Sequence, residues 1–145
     1  MSNAHITNCT IANNSSSDNV PNDGDGALLV YTPTGFSPKI TNTIVQNNQT
    51  VYQLVERTEE AQITYSNFGS TYPTSLSVDN TNINANPLFV DINNDNYNLQ
   101  LQSPCVDIGN PDLDGDNIGW ETDTDDRDPD GTRMDMGAYY LDQRI

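Results

Sequence analysis

Residues 6–14 read ITNCTIANN and residues 40–48 read ITNTIVQNN, nearly the same nine letters met twice. A looser third copy, Ile63-Thr64-Tyr65-Ser66-Asn67-Phe68, shares the rule Ile-Thr-(Asn/Tyr)-x-x-(Ile/Val/Phe). Ile6 and Ile11 cannot share a face of one flat strand, because their spacing is odd and side chains alternate with period two. A corner between them, with Asn8 or Asn42 in the left-handed region, returns both to the interior. The copies follow one another after 34 and then 23 residues. An interval in the twenties fits one turn of a solenoid, and the longer interval fits the same turn with an insertion. SSSDNVPNDGDG, residues 15–26, is that insertion, composed almost wholly of turn formers.

Stacking such units sets Ile6 on Ile40 on Ile63, and Ile11 on Val45 on Phe68. It also sets Asn8 above Asn42, predicting an amide ladder along the corner. Ala27–Tyr31, Val51–Val55 and Leu76–Val78 offer a third strand to each unit. The expectation is an all-β chain: an expression leader at 1–4, about three coils over 5–80, and a C-terminal cap over 81–145 that covers the last open rung. The alternative architecture is a β-sandwich. No segment makes a good amphipathic helix; the nearest, Gln53–Ile63, is short and holds the adjacent acids Glu59 and Glu60.

Charge narrows the partners. The net charge is −16 with only 5 Lys+Arg, and 11 of the 21 Asp+Glu lie between Asp107 and Asp135. Nucleic acid and anionic membrane surfaces both need basic residues to bind, so the charge argues against both as partners. It favours cations as partners, or simply solubility. No apolar run approaches the ~20 residues of a membrane span. Cys9 and Cys105, the only cysteines, read as buried free thiols, with a disulfide in an exported protein as the alternative.

Beyond residue 80 the repeat stops and other words take over: NPLFVD (86–91), YNLQL (97–101), SPCVDIGNPD (103–112) and DPDGTRMDMGAYY (128–140). These words, with ITNCTIANN upstream, resemble the C-terminal region of secreted bacterial β-helix proteins of the pectate-lyase-like superfamily, of the "choice-of-anchor" type. The resemblance implies a right-handed parallel β-helix exported to the cell surface or the medium.

That resemblance raises the question of catalysis, since lyases of this superfamily use a Ca²⁺-binding carboxylate cluster and an Arg or Lys base. Arg57, beside Glu56 and Glu59, is the best candidate base, and Glu56 with Glu59 or Glu60 the best carboxylate pair. Adjacent acids and a base in a polar stretch read more simply as solvated charges. His5, the only histidine, sits at the first rung. No catalytic residue is assigned. The expected role is a structural or binding segment, adhesive or glycan-binding with a polysaccharide partner. A fragment of a polysaccharide lyase or glycoside hydrolase is the alternative. An exposed first rung carrying Ile6 and Ile11 predicts weak homodimerisation through that edge.

The acidic tract carries a D-x-D-x-D-G rhythm twice. Asn110, Asp112, Asp114, Asp116 and Glu121 follow the spacing of an EF-hand loop, with Gly115 at the bend. Asp126, Asp128 and Asp130 form the second group. Alternate carboxylates on a tight loop converge their oxygens, which suits Ca²⁺, a hard cation taking about six to eight of them. Neither flank is helical, so the expectation is a bare Ca²⁺ loop. Trp120 is expected to fold back over the core, and Tyr139-Tyr140 to alternate in and out of a last strand.

Overall fold

The computed structural model describes residues 3–15, 26–30, 35–50, 52–56, 61–69, 71–72 and 79–144. Arg57, Glu59, Glu60, most of the 15–26 insertion and the Leu76–Val78 strand lie outside the described residues. The chain is all-β, and its described helical structure is a single 3₁₀ turn at Ile92–Asn94.

The three copies of the motif each form two short strands and a third follows. The first unit holds β1 (His5–Thr7), β2 (Thr10–Ile11) and β3 (Gly26–Val30). The second holds β4 (Lys39–Thr41), β5 (Ile44–Val45) and β6 (Tyr52–Glu56). The third holds β7 (Gln62–Thr64), β8 (Asn67–Phe68) and β9 (Thr71–Tyr72). Like pairs with like, always parallel, giving the sheets β1-β4-β7, β2-β5-β8 and β3-β6-β9. Ile6, Ile40 and Ile63 are in register, as are Ile11, Val45 and Phe68. Leu28, Leu54 and Thr71 form the third column. The described strand that completes the third unit is therefore Thr71–Tyr72, which comes sooner after its motif than the predicted Leu76–Val78.

The corners are where the spacing argument puts them. Asn8 and Asn42 have φ of 51° and Tyr65 one of 47°. A second corner, unread in the sequence, turns at Asn13 and Asn47, both at φ 58°. Between the strands Cys9, Thr43 and Ser66 occupy equivalent places, each side chain bonding the carbonyl two residues back. Val30, Ile40, Val45, Leu54, Ile63 and Phe68 fill the interior between the sheets.

The amide ladder is not at the predicted corner. Asn8 and Asn42 send their Nδ2 groups outward to the Met134 thioether at 3.8 and 3.9 Å. The ladder runs instead through Asn14 and Asn48: Asn14 Nδ2 donates to Asn48 Oδ1 at 2.9 Å, and Asn48 Nδ2 to Gln53 Oε1 at 2.8 Å. At the predicted corner the tail takes up the amide groups instead, through Met134 and the Asn110 N–H.

The repeat also continues past residue 80. Ile83 bridges Asn67 in parallel, and Phe68 N–H donates to Ile83 O at 3.1 Å. Residues 79–85 thus lie on the third unit as a degenerate fourth. A hairpin of β10 (Phe89–Asp91) and β11 (Asn96–Leu99) follows, and then irregular chain to the C-terminus. Tyr139 and Tyr140 are exposed and outside any strand, which corrects the expected last strand. The irregular chain runs along the side of the stack and touches all three units. Cys105 Sγ meets Asn67 Nδ2 at 3.0 Å, Asn110 N–H donates to Asn42 Oδ1 at 2.7 Å, and Ala138 N–H donates to Thr10 Oγ1 at 3.0 Å. Ile44 points out of the stack into this layer, where it packs with Phe89, Leu99, Cys105 and Met136. Both thiols are free, Cys105 buried and Cys9 half-buried.

Candidate cation site in the acidic tail

The acidic tract is ordered by its own backbone. Asp112 accepts the Gly115 and Asn117 N–H groups, Asp114 that of Asp116, and Asp116 that of Ile118. Left-handed steps at Gly115 and Asn117 turn the chain within this loop. Two arginines tie the loops down through carbonyls. Arg127 bonds the carbonyls of Trp120 and Glu121. Arg133 bonds Gly109 O at 2.6 Å and lies over the Tyr65 ring, 5.7 Å from its centroid. Trp120 is half-buried. Among the described residues the only ion pair is Arg144 with Asp142 at 2.7 Å, which holds the Asp142 carboxyl down at about 2.

The structure regroups the predicted ligands. Oxygens of Asp112, Asp114 and Asp126 lie within 4.8 Å of one another, so the second loop contributes to the first loop's cluster. A second group, Asp114, Asp116 and Asp123, satisfies the same limit. Glu121 stands in neither carboxylate group and is exposed, and Asn110 Oδ1 accepts the Asp112 N–H. Asp128 and Asp130 also stand apart. Asp130 accepts N–H groups of Thr132 and Gln143, and Asp128 accepts the Asp135 N–H at 2.8 Å.

Asp126 and Asp135 are fully or almost fully buried. Asp126 Oδ1 accepts the Leu113 N–H at 2.6 Å, while its Oδ2 is buried with no hydrogen-bond partner. Burial raises its pKa, and the charges of Asp114, Asp123 and Asp112 add to the rise. Asp135 bonds the N–H groups of Asp107 and Leu141, yet burial pushes it up to about 6, with Asp107 and Asp130 adding repulsion. Burial likewise lifts Asp128 to about 7. Nothing in the local spelling marks Asp126 or Asp135 as buried, since both sit in stretches as polar as their neighbours.

These buried carboxyls set an unusual pH dependence. A carboxyl whose native pKa is raised binds more protons folded than unfolded between its two pKa values. Its contribution to stability is therefore gained as pH falls from about 7 toward the ordinary value near 4. In EDTA the melting temperature is expected to be higher at pH 5 than at pH 7.5 by roughly 2–8 °C, the equivalent of ~1–2 kcal/mol. Asp128→Asn, which keeps an oxygen for the Asp135 N–H, should flatten part of that slope. Calorimetry across the range checks it; a melting temperature that falls on acidification over this window contradicts it.

His5 is exposed on β1, Glu56 ends β6, and Arg57, Glu59 and Glu60 lie outside the described residues. No described helix is long and apolar enough to cross a membrane. Comparison of the chain with family models, with curated proteins and with solved structures finds no match.

Proposed function

We propose that this chain is a non-catalytic structural segment of an exported bacterial protein of the pectate-lyase-like, choice-of-anchor type, and that it binds polysaccharide at the cell surface. In this reading the three units are successive coils of a right-handed parallel β-helix, and the acidic tail is the brace that locks them together. The observation that carries it is the parallel register of the repeat, Ile6 on Ile40 on Ile63 and Ile11 on Val45 on Phe68. The tail words SPCVDIG and DMGAYY support it further, because their residues make the contacts to each unit. Strand β1 is paired only with β4 among the described residues, and Ile6 is half-buried where Ile40 is 2% exposed. That edge is the place for a weak self-association.

A glycan array probed with the intact chain, run alongside digestion of polygalacturonate and alginate, tests the reading. Retention of one or more acidic or neutral glycans without shortening of any substrate is the expected result. Cleavage lost in Arg57→Ala would replace it with the lyase reading, and neither binding nor cleavage would remove the glycan partner.

A further inference from the structure

We propose that Asp112, Asp114 and Asp126 bind one divalent cation, Ca²⁺ in preference to Mg²⁺, at the point where the two acidic loops meet. Three oxygens, one from each residue, lie within 4.8 Å of one another. Oxygens at that limit sit about 2.8 Å from a common centre, so an inward shift of a few tenths of an ångström brings all three to the ~2.3–2.6 Å of a Ca²⁺–oxygen contact. Clustered acids alone would be an ordinary solvated surface. Asp126 makes this cluster different. It is 0% exposed, and its Oδ2 has no hydrogen-bond partner among the described residues. A buried carboxylate oxygen without a partner is costly, and a cation shared with two neighbours removes that cost.

Among the described residues no cationic side chain pairs with these carboxylates. The adjacent Arg127 directs its guanidinium to the carbonyls of Trp120 and Glu121. The remaining carboxylate contacts leave room for an ion, since each oxygen has two lone pairs. Asp112 accepts from Gly115 and Asn117, Asp114 from Asp116, and Asp126 Oδ1 from Leu113. The choice of Ca²⁺ follows from the ligands. Oxygens on irregular loops, with Asp114 exposed to water, tolerate the loose shell of about six to eight that Ca²⁺ accepts; Mg²⁺ demands a near-ideal octahedron at about 2.0–2.1 Å. The trio Asp114, Asp116 and Asp123 offers no buried unpartnered oxygen and is read as solvated.

The bound ion would join Asp112 and Asp114 of one loop to Asp126 of the other, across the Leu113–Asp126 hydrogen bond. The site stands independently of the glycan-binding reading, since it rests only on the tail.

The test is calorimetric titration of the EDTA-treated full chain with CaCl₂ and, separately, MgCl₂. Terbium luminescence excited through Trp120, which lies on the same loop, gives an independent readout. One Ca²⁺ with a Kd of about 10⁻⁴–10⁻³ M is expected, with Mg²⁺ at least ~10-fold weaker and Ca²⁺ displacing the terbium. Asp126→Asn should weaken Ca²⁺ at least ~10-fold. Asp114→Asn guards against a folding defect, because Asp114 is exposed and an Asn keeps the oxygen that Asp116 uses; it should lose affinity similarly with an unchanged circular dichroism spectrum. No heat and no sensitised luminescence at about 10 mM Ca²⁺, tenfold above the weaker limit, would overturn the site. So would wild-type affinity in folded Asp114→Asn, or Mg²⁺ binding as tightly as Ca²⁺.

Discussion

Replacing Ile44 with Ala is expected to cost ~2–5 kcal/mol and to lower the melting temperature by roughly 4–20 °C. Ile44 opens the two-residue strand β5, the central strand of its sheet with β2 and β8 on either side, and it is 0% exposed. Its side chain leaves the strand on the face opposite Val45. Val45 belongs to the interior of the stack, whereas Ile44 fills the layer built by Phe89, Leu99, Cys105 and Met136. Truncation therefore opens a cavity between strands and tail, where neither wall can move far. Leu29→Ala is the control, since Leu29 is 50% exposed on β3 and its loss should stay within about 0.5 kcal/mol. Chemical denaturation measures both. Limited proteolysis adds the location, because the tail of Ile44→Ala should be cut before the strands. Equal behaviour of the two variants would mean the tail does not pack on β5.

How much of this was legible depends on how local the signal is. The columns of Ile6, Ile40 and Ile63 could be read because an apolar pair at an odd spacing violates the strand period and forces a corner. Asn8 and Asn42 then supply the residue type that a positive φ tolerates. The third corner is Tyr65 at φ 47°, a residue that propensity would never place there. Its ring is instead held under the Arg133 guanidinium. The tail's seat could not be read, because its contacts join residues 38 to 128 apart through irregular chain with no periodicity. The acidic loops show the same limit. Spacing placed the ligands within each loop, and a hydrogen bond from Leu113 to Asp126, 13 residues away, moved one of them into its neighbour's cluster. The words SPCVDIG and DMGAYY were visible as words only. The structure supplies their reason: Cys105, Gly109, Met136 and Gly137 are the points at which the tail meets the strands or crosses itself.

Gly137 is the tightest of those points, and Gly137→Ala is expected to cost ~2–6 kcal/mol. Two causes act together. Its φ is 101°, outside even the left-handed region of L residues, which adds strain of ~1–3 kcal/mol. A Cβ there would also stand 2.9 Å from Ile44 Cδ1 and 2.9 Å from Thr10 Oγ1, an overlap worth ~1–3 kcal/mol more. The backbone cannot retreat without breaking the 2.7 Å bond from Gly137 N–H to Asn42 O. The two causes separate in a double variant. Ile44→Val deletes Cδ1 and alone costs ~0.5–1.5 kcal/mol. Combined with Gly137→Ala, it should relieve one of the two overlaps, so the pair destabilises less than the sum by at least ~0.5 kcal/mol. The strain and the Thr10 contact remain, so rescue is partial. Strict additivity in urea denaturation would show that Gly137 does not rest on Ile44, and with it that the tail crosses the strands elsewhere.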